Sequence, residues 1–447
     1  MSLLEKYAVP GPRYTSYPTV PYWESPGPDG ESWVHSVEQS LNSDRSQLSL
    51  YIHLPYCEKL CTFCGCNTRI TRRHEVEEPY IKAVIKEWQA YRAILPEHAQ
   101  VAEIHLGGGT PTFFSPSNLK WLIESILREV PKAEEVEFSF EANPNTTSTE
   151  HLKVLYDLGF RRVSFGIQDF DPKVQAIIHR VQPYRTVEEV VNAARSIGYT
   201  SINFDLIYGL PAQSIDTILD TIEKTGRLHP DRLAFYSYAH IPWIKPAQRM
   251  YEDLLPSEPD KFEFYEKGKD ALEQLGYVDI GMDHFALPSD SLFDAMGRGR
   301  LHRNFMGYTT TATKVQIGLG ASAISDAWTA FIQNEKKVED YMAAVEEGAF
   351  PFYRGHELSN EDQYIRQHIL NLMCQFETHF HSGEAPQFWS EVTARLTPME
   401  DDGLVSLFEN SIEVKAAGRP FVRNICMALD ARMWRKKPTT QIFSQTV

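Results

Sequence analysis

Between residues 48 and 239 the sequence alternates six times between short runs rich in β-branched and aromatic residues and longer runs of helical period. The short runs are LSLYIHL (48–54), VAEIHLG (101–107), VEFSFEA (136–142), RVSFGIQ (162–168), SINFDLIYG (201–209) and RLAFYSYA (232–239). Between them lie amphipathic stretches such as YIKAVIKEWQAYRAIL (80–95), NLKWLIESILREV (118–130) and VEEVVNAARSIGY (187–199). Parallel strands need a long crossover, usually a helix, so this rhythm predicts βα units around a parallel sheet. Six units fall short of the eight that close a complete barrel. The expected fold class is α/β, a partial (β/α)6 TIM-like barrel.

The flanks read differently. Residues 1–46 are rich in Pro, Gly, Ser and Tyr and predict an irregular N-terminal arm, ahead of a core at 47–245. Residues 246–355 predict one more helix and strand, then a helix near 336–347, as an extension that completes a substrate pocket. Residues 356–447 predict a mainly helical C-terminal domain. There a helix in NEDQYIRQHILNLMCQF, a hairpin turning at Glu409-Asn410 and a helix in RPFVRNICMALDARMWR resemble a winged helix. Winged helices often bind DNA, but a net charge of -16 disfavours nucleic acid and anionic membranes, so the module is read as structural. No apolar run reaches the ~18 residues of a membrane span. No basic stretch leading into an apolar one opens the chain. The expectation is a cytoplasmic protein with reduced thiols.

Four of the six cysteines fall in PYCEKLCTFCGCNTR (55–69). Cys57, Cys61 and Cys64 form C-x3-C-x2-C on the loop after the first strand. A zinc site with Cys66 or His53 as fourth ligand is one reading, although structural zinc more often uses two separated C-x2-C pairs. Three thiolates can instead hold three irons of a [4Fe–4S] cluster and leave the fourth open to a small molecule. Cys66 is the obvious candidate for a fourth ligand, but it lies only two residues beyond Cys64 and is expected to point away from the open iron. Cys374 and Cys426 read as core residues. The second strand ends in GGGTPT, where glycines let the backbone approach a ligand or merely turn tightly. The next four strands end near Glu141, Gln168, Asp205 and Ala239, at the side of a βα fold where ligands gather.

Together with GPRYTSYPT, YIHLPYCEKLCTFCGCNTRIT, LGGGTPTF, FGIQDF, FDLIYGLP, GMDHFA, LHRNFMGYTT, GLGASAIS and RNICM, these features resemble the oxygen-independent coproporphyrinogen III oxidases of the radical S-adenosylmethionine superfamily. The resemblance runs from the arm to the last predicted helix. It implies a barrel of the radical SAM type with Cys57, Cys61 and Cys64 as ligands of a [4Fe–4S] cluster that keeps one open iron. It places Tyr51, Gly108, Glu141 and Ile324 around the S-adenosylmethionine at that iron, Tyr51 being counted with the catalytic set as well. It places Phe63, Gly109, Thr110, Gln168, Arg180, Asp205 and Ala239 around a second S-adenosylmethionine. Met306 stands where the family commonly has Gln.

The implied reaction is anaerobic oxidative decarboxylation of two propionates of coproporphyrinogen III to vinyl groups. A 5′-deoxyadenosyl radical drives it and protoporphyrinogen IX is the product, in haem biosynthesis. The implied partners are this substrate and a low-potential electron donor such as flavodoxin or ferredoxin, with the chain acting as a monomer. Arg13, Arg69, Arg72, Arg73, His302 and Arg303 are candidates for the substrate carboxylates. Arg13, Tyr14 and Tyr17 read as a lid, against the plainer reading of a packing arm. The alternatives are a haem-directed radical enzyme and a haem chaperone, with His179, His240 or His302 as haem ligands.

Overall fold

The computed structural model describes residues 3–42, 46–381, 383, 385–436 and 443–446, and counts refer to these. Residues 1–2 and 43–45 of the expected arm, and 382, 384, 437–442 and 447 of the expected C-terminal domain, lie outside them.

The six expected strands form as β1 (Gln47–Leu54), β2 (Gln100–Gly108), β3 (Lys132–Ala142), β4 (Arg162–Gln168), β5 (Ser201–Tyr208) and β6 (Arg232–Ser237). All neighbours in this series are parallel. Helices connect them, and local chemistry sets their ends. Ser148 and Ser214 build capping boxes at the starts of Thr149–Leu158 and Ile215–Leu228. Gly159 and Gly198 end two helices in the left-handed conformation, at φ 110° and 115°.

The extension adds strands to both flanks of the same sheet. They are β7 (Val278–Gly281), β8 (His284–Ala286), β9 (Val315–Leu319), β10 (Ile324–Asp326), β11 (Ala330–Asn334) and β12 (Phe352–Glu357). The resulting order is β12-β11-β10-β9-β1-β2-β3-β4-β5-β6-β8-β7, twelve strands with β1 and β6 unpaired to one another, hence an open barrel. β9 lies parallel to β1, with Tyr51 opposite Gly318. Sequence reasoning found a single strand in this region because most of these segments span three to five residues, too short for a period of two to declare itself.

Two expectations about the flanks are corrected. The arm is not irregular throughout: Gly30–Asn42 is an α-helix, and Asp29 accepts the Ser32 N–H at 2.8 Å at its start. Trp33, Val37 and Leu41 on one face are buried in the barrel core. Pro and Gly to its N-terminal side hide this helix from a compositional reading. In the C-terminal part, the helix Asn360–Gln375 and the hairpin Val405–Phe408/Ser411–Val414 form as expected. Between them stands an unforeseen helix, Pro386–Asp401, with Pro398 inside it. The last expected helix is broken into Val422–Leu429 and Ala431–Arg435.

A second hydrophobic core joins this C-terminal part to Ile280, Ala286 and Leu292 of the extension and to Tyr14 and Tyr17 of the arm.

Candidate active site

The cysteine loop leaves the carboxyl end of β1 and is strapped down at its base. Tyr56–Cys57 pairs in parallel with Arg69–Ile70. Gly109 N–H donates to the Leu54 carbonyl at 2.8 Å and Thr110 N–H to that of Tyr56 at 3.0 Å. The Thr110 hydroxyl lies 3.2 Å from the Cys57 sulfur. These contacts explain the glycine run, and they differ from the ligand-approach reading. A Cβ on Gly108, whose φ is +111°, would meet the His53 ring at 2.6 Å, and one on Gly109 the Pro55 backbone at 2.6 Å. The protein's own packing of the cysteine loop against β2 is what requires glycine here.

Cys57, Cys61 and Cys64 line a cavity of about 780 Å³ at the barrel mouth, inside the roughly 300–1,000 Å³ range of small-molecule sites. Cys66 lines it too, and its thiol hydrogen-bonds with that of Cys64. That bond, with lesser help from Lys245 and Arg180, brings Cys64 down to about 6 and raises Cys66. Burial pushes Cys57 up to about 11. Burial also raises Cys61, against the pull of Arg180, whose Nη1 lies 3.7 Å from its sulfur. Among the described residues no three Cys, His, Asp or Glu side chains converge on a point where one metal ion would sit. Soft thiolates spread around a large cavity suit a polynuclear iron–sulfur group better than a single zinc.

Of the candidate cofactor contacts, Phe63, Gly108, Gly109, Thr110, Glu141, Gln168, Arg180 and Asp205 line this cavity. Gln168 holds a left-handed φ of 68°, a conformation costly for such a residue and common at functional sites. Arg180 is fixed by bonds to the Gly166 carbonyl at 2.9 Å and Gln182 at 3.1 Å.

The two carboxyl groups are set apart by their surroundings. Burial works against ionisation of Glu141, but the hydrogen bond and charge of His105 and the Gly108 N–H hold it below its ordinary value. Burial, then the charge of Glu141, pushes Asp205 up to about 7, although Ser164 and Asn203 hydrogen-bond to it at 3.1 and 2.9 Å.

Tyr51, Ala239 and Ile324 do not line the cavity. The Tyr51 hydroxyl lies 3.0 Å from His53 Nδ1, and His53 Nε2 lies 2.9 Å from the Asn67 carbonyl, so Tyr51 is tied to the cysteine loop from behind. Gln248 bridges the carbonyls of Ala239 and Phe63, at 3.3 Å each. Ile324 starts β10 and packs toward Trp23 and Phe331.

Several residues at the site went unforeseen. A smaller inner cavity of about 110 Å³ shares Glu141, Ser164, Asp205 and Tyr236 with the large one and also takes in His105, Asn203 and His284, together with Met306, which the sequence had singled out. The usable signal was the alternation of polar residues along the strands: Ser164 on β4, Asn203 and Asp205 on β5, Tyr236 on β6, each on an inward face.

Of the substrate-binding candidates, Arg69 pairs with exposed Glu339 at 2.7 Å, and Arg72 and Arg73 are exposed. Burial and then Arg366 push His302 down to about 4. Arg13 pairs with Asp283 at 2.5 Å, and Arg303 is buried. His179 lines the cavity, while His240 bonds Glu252 at 3.2 Å. Tyr14 and Tyr17, 2% and 1% exposed, are core side chains, which corrects the lid reading for both.

The chain matches the radical SAM superfamily model over residues 51–225. It is 37% identical to an oxygen-independent coproporphyrinogen III oxidase of Synechocystis across all of this chain and 97% of that protein. It is 38% identical to one of Escherichia coli, across all of this chain and 98% of the other. A third, from Helicobacter pylori, is 40% identical over 95% of each. The solved structure of the Escherichia coli coproporphyrinogen III oxidase, described as a radical SAM enzyme, superposes with a TM-score of 0.88 at 36% identity, over 94% of this chain and 97% of that one.

Proposed function

This chain belongs to the oxygen-independent coproporphyrinogen III oxidases, oxidoreductases of the radical SAM superfamily, and from that premise we propose that it converts two propionates of coproporphyrinogen III to vinyl groups. Cys57, Cys61 and Cys64 would hold a [4Fe–4S] cluster with one open iron. Tyr51, Gly108, Glu141 and Ile324 would surround one S-adenosylmethionine. Phe63, Gly109, Thr110, Gln168, Arg180, Asp205 and Ala239 would surround a second. When bound, these groups supply a carbon radical able to take a hydrogen atom from an unactivated C–H bond.

The chain's own residues do the rest. Arg180 steadies the negative charge of Cys61 thiolate. Thr110 orients Cys57. Glu141, held ionised, is a fixed acceptor for an ammonium group at the mouth, and Asp205 is an acceptor for hydroxyl donors. The barrel wall excludes water from the reacting atoms. At each of two propionates the substrate gives a hydrogen atom from the β-carbon to the carbon radical, then releases CO2 and passes one electron to a separate one-electron acceptor, leaving a vinyl group. The product is protoporphyrinogen IX. A low-potential donor protein supplies the electrons, and the chain works as a cytoplasmic monomer.

The observation that carries this reading is the cysteine loop strapped to the same cavity that Glu141, Gln168, Arg180 and Asp205 line. The test is anaerobic reconstitution with iron and sulfide, followed by assay of CO2 and vinyl product from coproporphyrinogen III. Cys57→Ser, Cys61→Ser and Cys64→Ser are each expected to lose iron and product together, while Cys66→Ser keeps its iron. A linear tetrapyrrole with released iron, or bound haem without turnover, would replace this reading with the haem-directed alternatives.

A further inference from the structure

Tyr236 lines both cavities, and arginines gather near it. The Arg13 guanidinium lies 5.6 Å from the Tyr236 ring centre, and that of Arg303 lies 4.7 Å from the Tyr308 ring. His284 meets both rings edge-on, at 5.7 and 5.2 Å. The two arginines are joined directly, Arg303 Nη2 donating to the Arg13 carbonyl at 3.4 Å. Arg423 then grips the carbonyls of Gly11 and Pro12. Three guanidinium groups thus meet at the arm with one carboxylate among them, Asp283, which Arg13 engages.

Arg303 is 5% exposed, and among the described residues it makes no ion pair. Its Nε and Nη1 have no hydrogen-bond partner there, and neither has Arg13 Nε or His284 Nδ1. A buried guanidinium without a counter-ion is costly, and the face of Tyr308 offsets only part of that cost. Free donors in a planar fork match a carboxylate. Arg13 is the half-open member of the set: its side chain is 38% exposed and lines a further cavity beside Asp283.

We propose that Arg13 and Arg303 form a carboxylate-binding site that takes a propionate the enzyme leaves intact. The choice of a retained propionate follows from the chemistry. Loss of CO2 removes negative charge from the carboxylate, and a guanidinium fork that stabilises that charge opposes the loss. Tyr236, beside Arg13, also lines the cavity that Asp205 lines, so a tetrapyrrole anchored at the arginines has its anchored arm apart from the reacting end. This inference rests on the tetrapyrrole substrate proposed above.

The test uses reconstituted holoenzyme and two fluorescent probes, coproporphyrin III, which carries four carboxylates, and its tetramethyl ester. Arg303→Met and Arg13→Met are expected to weaken coproporphyrin III roughly ten- to a hundredfold and to leave the affinity for the ester unchanged. Arg303→Lys is expected to restore part of the affinity, and it carries the test with Arg13→Met if Arg303→Met does not fold. Folded variants that bind coproporphyrin III as the parent does would overturn the site. So would a fall in kcat at unchanged affinity. If the parent protein binds neither probe, the substrate reading itself falls.

Discussion

Glu141 and Asp205 face one cavity, yet their surroundings push them in opposite directions. The carboxyl of Asp205 carries its proton up to about 7, because burial and the neighbouring charge of Glu141 both oppose ionisation. The folded protein therefore holds a proton that an unfolded chain has released, and stability falls as pH rises from about 4 toward 7. A ligand that donates to the ionised carboxylate has the opposite slope. S-adenosylmethionine is expected to bind more tightly between pH 6 and pH 8, and Asp205→Asn to bind roughly ten- to a hundredfold more weakly with a flat profile. Equilibrium dialysis across that range checks both, and a parent profile without slope would remove Asp205 from the binding site. At this scale the sequence was informative where chemistry is unusual: three thiols on one loop, acids at strand ends. It was silent on Tyr236 and His284, ordinary residue types whose importance comes from facing inward, and it offered Arg303 only as one of six cationic candidates.

Among elements, the weight of one buried acid is largest where the helix Glu77–Arg92 meets the extension. Glu87 accepts from Gly320 N–H at 2.8 Å, the Tyr341 hydroxyl at 2.7 Å and Asn334 at 2.6 Å, so one side chain joins that helix to the turn after β9 and to β11. Burial raises it to about 7 against all three donors. Glu87→Ala leaves those donors buried without an acceptor and is expected to cost about 3 kcal/mol. Chemical denaturation measures it. Because the folded-state pKa is raised, the parent loses stability as pH rises from about 4.5 to 7, and Glu87→Gln is expected to abolish that part of the slope. The six βα units were legible because each strand is six or more residues long and followed by a helix of clear period. The extension strands were not, and neither was Pro386–Asp401, whose two prolines read as loop punctuation.

For the whole molecule, the arm belongs to the second core. Tyr14 donates to Asp430 at 3.1 Å, Tyr17 is 1% exposed, and Arg423 and Arg303 hold the backbone of residues 11–13. GPRYTSYP is mostly polar, yet the aromatic area that Tyr14 and Tyr17 bury in this core outweighs the polar residues between them. Tyr17→Ala is expected to cost about 3–5 kcal/mol, as large aromatic truncations do. Calorimetry is expected to show that loss in the unfolding of the C-terminal part, with the iron content of reconstituted protein unchanged. An unaltered melting profile would return the arm to the role of a lid. The same arrangement sets an order on biosynthesis. Tyr14 is made 416 residues before its partner Asp430, so on the ribosome the strands of the sheet, which end at Glu357, are all made while Tyr14 still lacks that partner. The arm's packing is thus the last part of the fold that the growing chain can complete, because its partners Arg423 and Asp430 lie in the final helices.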